Sequence, residues 1–193
     1  VRKMIRLKNN LLILGILTLI ALFYTPVFSG FFQQDEWLAF GDFFALGDHG
    51  LINLLLAAIE PTVGHYVPFY YGLFFTSISL FGLNDVWYAI LSIILHITIA
   101  IIVYFVSFKL FKDKTLSFFA MVLWGLNASG QQATSWLVAD LNTHGASVFG
   151  LLSVFYFFKF LQENKKKLFY FSIISLIASL MFKEIAVGLF LLL

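Results

Sequence analysis

Five polar constellations in this chain could do chemistry. Asp35-Glu36 is a pair of carboxylates, His65 stands in Gly64-His65-Tyr66-Val67-Pro68, and His96 sits inside an apolar run. Asp140, Asn142 and His144 follow Trp136, and Lys183-Glu184 is a charge pair set among apolar residues. A carboxylate can act as general base towards an acceptor hydroxyl, or help hold a divalent cation through oxygen ligands. Adjacent helical residues point ~100° apart, so Asp35 and Glu36 need not serve one site. His65 could bind a phosphate or titrate near neutrality; beside Pro68 its other role is a structural hydrogen bond. His96 is either a functional group facing a bundle interior or a neutral ring packed between helices. Lys183-Glu184, adjacent opposite charges at a helix junction, could line a cleft. With no cysteine in the chain, disulfides, thiolate metal sites and cysteine nucleophiles are excluded. No Walker-type loop, dinucleotide-binding glycine pattern or Cys/His metal spacing occurs, and nothing in the charge pattern calls for nucleic acid.

The elements that must position these groups are membrane helices. The 193 residues are 61% hydrophobic and 11% charged, with a mean hydropathy of +0.95, where a soluble domain has ~45–50% and ~25%. Apolar runs at 11–28, 86–108, 116–130, 145–161 and 168–182 predict spans, with a sixth starting at 185. The first run follows a basic segment and lacks a clean small-x-small cleavage site, so it is expected to be a retained anchor. The run from Ile185 to Leu193 rises only ~14 Å as helix, so the chain is expected to be the N-terminal part of a longer membrane protein.

Charge sets the expected topology. The clusters Arg2/Lys3/Arg6/Lys8, Lys109/Lys112/Lys114 and Lys159/Lys165/Lys166/Lys167 hold eleven of the 12 basic residues. All three fall on the cytoplasmic side if Tyr66–Gly82 does not cross, which makes that stretch re-entrant or interfacial. Eight of the 10 acidic residues then lie outside, in a long external loop over 29–85 and beyond it. In that loop Gln33–Leu46 reads as an interfacial helix, with Asp35, Ala39 and Asp42 on one face and Trp37, Phe40, Phe43 and Phe44 among the headgroups. The short spans, with polar Asn127–Gln132 and Asp140–His144 at membrane depth, predict a water-accessible pocket that opens outwards.

In order and spacing these motifs resemble the N-terminal half of a GT-C membrane glycosyltransferase, closest to the protein O-mannosyltransferase and tetratricopeptide-carrying mannosyltransferase group. The resemblance rests on Asp35-Glu36 after the first span and on His65-x-x-Pro68. It continues with Leu80-Phe81-Gly82-Leu83, the stretch Asn84 to His96, Trp136 with its polar followers, and Lys183-Glu184-x-Ala186. Two departures stand out: the family commonly has Arg at the place of His65, and Asn127-Ala128-Ser129 replaces a small-residue-Pro pair. The resemblance implies an all-α, polytopic transmembrane bundle and a sugar donor linked to a polyprenyl phosphate. It further implies a protein, lipid or glycan acceptor on the non-cytoplasmic face of a prokaryotic plasma membrane. Asp35 would be the catalytic base with Glu36 assisting. His65, Asp140, His144, Lys183 and Glu184 would line the substrate site, with Lys183 or His65 on the donor phosphate. The competing readings are a transporter or flippase of lipid-linked glycans and a surface polysaccharide polymerase or ligase.

Overall fold

The computed structural model describes residues 2–47, 49–61, 65–127, 134–136 and 138–191; among these the chain consists of helices joined by short connections, without strands. Helices α1 (Arg2–Phe23), α2 (Gln34–Ala45), α3 (Leu51–Ile59) and α4 (Pro68–Phe81) are followed by α5 (Asp85–Phe111) and α6 (Lys114–Gly125). The last two are α7 (Ala139–Glu163) and α8 (Lys166–Phe182), and 3-10 segments run over Thr25–Ser29 and Glu184–Leu191. Among the described residues three segments are long and apolar enough to cross a membrane: Leu11–Ser29, Asp85–Phe111 and Asp140–Glu163.

Helix α5 begins where Asn84 Oδ1 accepts from Val86 N–H (3.2 Å). It ends at Lys112 in the left-handed region, φ 56°. The next residue, Asp113, already caps α6 by accepting from the N–H groups of Thr115 and Leu116 (2.7 and 3.1 Å). Helix α7 ends in the same way at Asn164, φ 51°, immediately before α8. Two tight antiparallel hairpins result, α5–α6 and α7–α8, and α5 lies along α7. Both hairpin turns sit at one end of the bundle, since Lys112 Nζ donates to Gln162 Oε1 (3.1 Å) and Gln162 Nε2 to Lys109 O (3.3 Å). Leu12 and Ile13 of α1 line a surface recess with Lys114. Two of the basic clusters therefore lie at one end of the bundle, and α1 passes beside Lys114 there.

Two expectations shift, and a third, the short helix over Tyr66–Gly82, is met in length. The run expected at 145–161 is a helix from Ala139, so Asp140, Asn142 and His144 ride its first turns instead of a loop. The span expected at 116–130 is helical only to Gly125, 12 residues or ~18 Å; residues 128–133 lie outside the described set. Helix α4 has 14 residues, ~21 Å, less than the ~30 Å of a hydrocarbon core.

The tightest pairing is α7 against α8. Small residues let the backbones approach, the usual device where no aqueous driving force acts between helices. Ser179 Oγ donates to Ala146 O (2.7 Å) and Ser172 Oγ to Ser153 O (2.9 Å), all within the buried seam. Gly145 completes it, because a Cβ there would run into the Phe182 ring. On the other flank α2 and α4 dock on α5 through Phe32, Phe40, Phe74 and Tyr88, with ring centroids 4.7–6.1 Å apart. We expect Gly145→Ala to cost about 1–3 kcal/mol through overpacking, read as a lowered Tm in detergent. Gly72→Ala, in open space on α4, serves as the control that leaves Tm unchanged or slightly raised.

Candidate functional site

At the end of the bundle opposite the hairpin turns, the first turns of α7 gather most of the polar residues singled out above. Three attachments converge there.

The first attachment comes from α2. Glu36 stands at the third position of this helix and is 1% exposed. Its Oε2 accepts from Gln33 N–H (2.5 Å) in a capping box, a reciprocal satisfaction of free amides at a helix start. Its Oε1 accepts from Val138 N–H (2.5 Å), 102 residues away, at the entrance to α7. Glu36 is thus a tether between two helix N-termini. Asp35 stands on the same turn of α2, with its side chain outside the described set. Of the face expected to point to water, Asp42 is exposed but Ala39 is buried against the core.

The second attachment is internal. Asp140 and His144, one helical turn apart, are 0% and 1% exposed, and Asp140 Oδ1 contacts His144 Nδ1. His144 Nε2 lies 3.4 Å from His96 Nδ1 on α5. His96 Nε2 donates to Gly125 O (3.0 Å), and Thr134 Oγ1 is 3.1 Å from His96 Nδ1. The rings of Tyr24 (4.3 Å) and Trp124 (4.9 Å) close the cluster. The water-accessible pocket expected at Asp140–His144 is absent at these two residues, because helical geometry turns them into the bundle. A groove lies on another face of the same helix.

That face carries the third attachment. Lys183, directly after α8, donates from Nζ to Thr143 Oγ1 (2.8 Å) and reaches Asn142 Oδ1 (3.4 Å). Both partners are neutral, and no carboxylate lies within 4.0 Å of Nζ among the described residues. Lys183 heads a groove of about 640 Å³ with walls of Ile99, Val103, Trp124, Leu151 and Ile185, and Ser147 and Ser179 as further polar lining. Burial pulls the Lys183 pKa below the ordinary lysine value; an anion in the groove would oppose that by favouring the charged form.

His65 and Glu184 pair with each other at the surface. Glu184 Oε1 accepts from Tyr66 N–H (2.9 Å), and Oε2 lies 3.1 Å from His65 Nδ1. The Tyr66 N–H first, and His65 after it, hold the Glu184 carboxyl below the usual range. With one ring nitrogen occupied by Glu184, His65 is a poorer phosphate contact than Lys183. Among the described residues no set of three or more His, Cys, Asp or Glu side chains could hold a metal ion.

Sequence reasoning missed Thr143 as the partner of Lys183 and the tethering role of Glu36. Gln33-x-x-Glu36 is a capping-box spacing with an unusual first residue, and it was the available signal for Glu36. No protein-family model, curated protein or solved structure matches the chain.

Glu36→Ala leaves two amide N–H groups without this acceptor, a loss we expect to be about 2–4 kcal/mol. Glu36→Gln keeps one acceptor oxygen and should lose about half as much, both read by thermal unfolding in detergent.

Proposed function

We propose that this chain is the donor-binding part of a multi-pass membrane glycosyltransferase. It moves a sugar from a polyprenyl-phosphate donor to an acceptor on the non-cytoplasmic face. The observation that carries this reading is Lys183. An ammonium whose partners among the described side chains are neutral heads an apolar groove, which is the chemistry of a lipid with an anionic head and a long hydrocarbon tail. A cation at that place stabilises the negative charge that develops on the phosphate as the glycosidic bond breaks. Ser147 and Thr143 supply hydroxyls beside it.

Asp35 is the proposed general base, taking the acceptor proton as the sugar carbon is attacked. The support is its place on α2, whose next residue is tied to the start of the helix that holds Lys183. Glu36, buried and spent on two amides, is the positioning residue for that turn.

The reading is tested by sugar transfer with the full-length protein in membranes. Asp35→Asn is expected to lower transfer by about 10²–10⁴-fold, the usual worth of a general base, with insertion and donor binding intact. Lys183→Met is expected to weaken polyprenyl-phosphate binding by about 1.5–3 kcal/mol, the worth of a charged hydrogen bond. Unchanged transfer in Asp35→Asn contradicts the mechanism, and unchanged donor binding in Lys183→Met contradicts the site.

A further inference from the structure

The end of the bundle where the two hairpin turns meet is strongly basic. Seven lysines of 109–114 and 159–167 stand there against two acids, Asp113 and Glu163. Both acids are already engaged. Asp113 accepts from two amides at the start of α6. Glu163 pairs with Lys165 (2.9 Å) and lies 3.9 Å from Lys159. Among the described residues no carboxylate lies within 4.0 Å of Lys114 Nζ.

Helix α1 meets the bundle closely at its far end. Ile20 is buried there and fills the space beside Gly125, and the Tyr24 ring lies against His96. About two turns earlier α1 leaves a gap. Leu11, Leu12 and Leu14 are more than half exposed, and a recess of about 310 Å³ opens between α1, α5 and α6. The lining of the recess is ordered along the bundle. Lys114 and Thr115 stand at the start of α6, at the basic end. Phe118 and Phe119 follow one turn inwards, ~6 Å along the axis, with Leu12 and Ile13 of α1 and Tyr104 of α5 as the other walls.

A cation and a hydroxyl at the rim with apolar side chains further in is the order of a phospholipid, phosphate outermost and acyl chain inwards. A soluble anion would leave the apolar walls unused, and a neutral lipid would leave Lys114 unused. A lysine at a helix end reaches the interface along its own apolar stem. Basic pockets between membrane helices on the positively charged side are known to suit anionic headgroups. The recess stands at the lower end of the range of ligand sites, about 300–1,000 Å³. It has room for part of one acyl chain, with the remainder of the lipid in the bilayer.

We propose that this recess binds one anionic phospholipid of the leaflet on the basic side. Its phosphate sits on Lys114 and Thr115, and an acyl chain lies between Leu12, Ile13, Phe118 and Phe119. The lipid fills the gap that α1 leaves and ties the first helix to the α5–α6 hairpin. The inference rests on the reading that these helices cross a membrane and not on the transferase reading, since Lys183 and its groove lie at the opposite end.

The test uses the intact protein, delipidated and then offered equal amounts of phosphatidylglycerol and phosphatidylcholine with the same acyl chains. Bound lipid is counted by native mass spectrometry. One phosphatidylglycerol is expected to be retained in preference to phosphatidylcholine. Lys114→Gln is expected to lower that preference by about tenfold or more, the worth of a charged hydrogen bond, and Lys166→Gln, at the same end but outside the recess, by less than about twofold. No preference in the wild type overturns the proposal. So does equal loss in the two variants, the result of diffuse attraction between lysines and an anionic surface. A second arm needs only wild type. Phosphatidylglycerol with a photoreactive acyl chain is expected to label the peptides that hold Leu12 and Ile13 or Phe118 and Phe119, and labelling confined to other peptides overturns the site.

Discussion

A helix that starts inside an apolar bundle must find partners for its first amides and for every polar side chain on its first turns. Helix α7 meets this constraint in three directions at once. Glu36 supplies the acceptor for the Val138 amide, His96 and Gly125 O complete the Asp140–His144 row, and Lys183 takes up Thr143 and Asn142. Unpartnered buried polar groups cost about 1–3 kcal/mol each. The position of α7 is therefore determined by groups on α2, α5 and the end of α8 together.

The groove follows from the same arrangement. Helix α7 approaches α8 closely through Gly145, Ala146, Ser153, Ser172 and Ser179, so the wider gap opens on the side of α5 and α6. Its walls are apolar because they face the bundle from spans rich in Ile, Val and Leu. Its cation is there because the chain leaves α8 at Lys183 beside the polar turn of α7. A site of this kind needs no long catalytic loop. It needs a helix end, a helix start and a space between them.

How much of this could be read from the amino-acid order depends on the range of the interaction. The long apolar run of 86–108 specifies a helix, and capping residues refine its start to Asp85. The basic clusters at Lys109–Lys114 and Lys159–Lys167 foretell two turns at one end, because both sit between apolar runs of helical length. His96 was legible as an interior group for the simple reason that an ionisable residue in an apolar run has few other places to go. Its partners were not, since His144 and Gly125 reach it only after α5, α6 and α7 pack. Asp140 and His144 read as an outward-opening pocket because polar residues between apolar runs look like a loop. The helix starts before them, and its 3.6-residue period sends Asp140 and His144 inwards and Asn142 and Thr143 towards Lys183. Glu36 read as a helper to Asp35, since nothing local reveals an amide partner 102 residues away.

The central claim is that the groove headed by Lys183 receives an anionic lipid. Photo-crosslinking tests it most directly, with a photoreactive phenylalanine analogue in place of Leu151 on the groove wall and a radiolabelled polyprenyl phosphate in native membranes. The account expects a crosslink that unlabelled polyprenyl phosphate competes away, that the uncharged polyprenol does not, and that Lys183→Met strongly reduces. No crosslink at Leu151, or equal competition by polyprenol and polyprenyl phosphate, would contradict it.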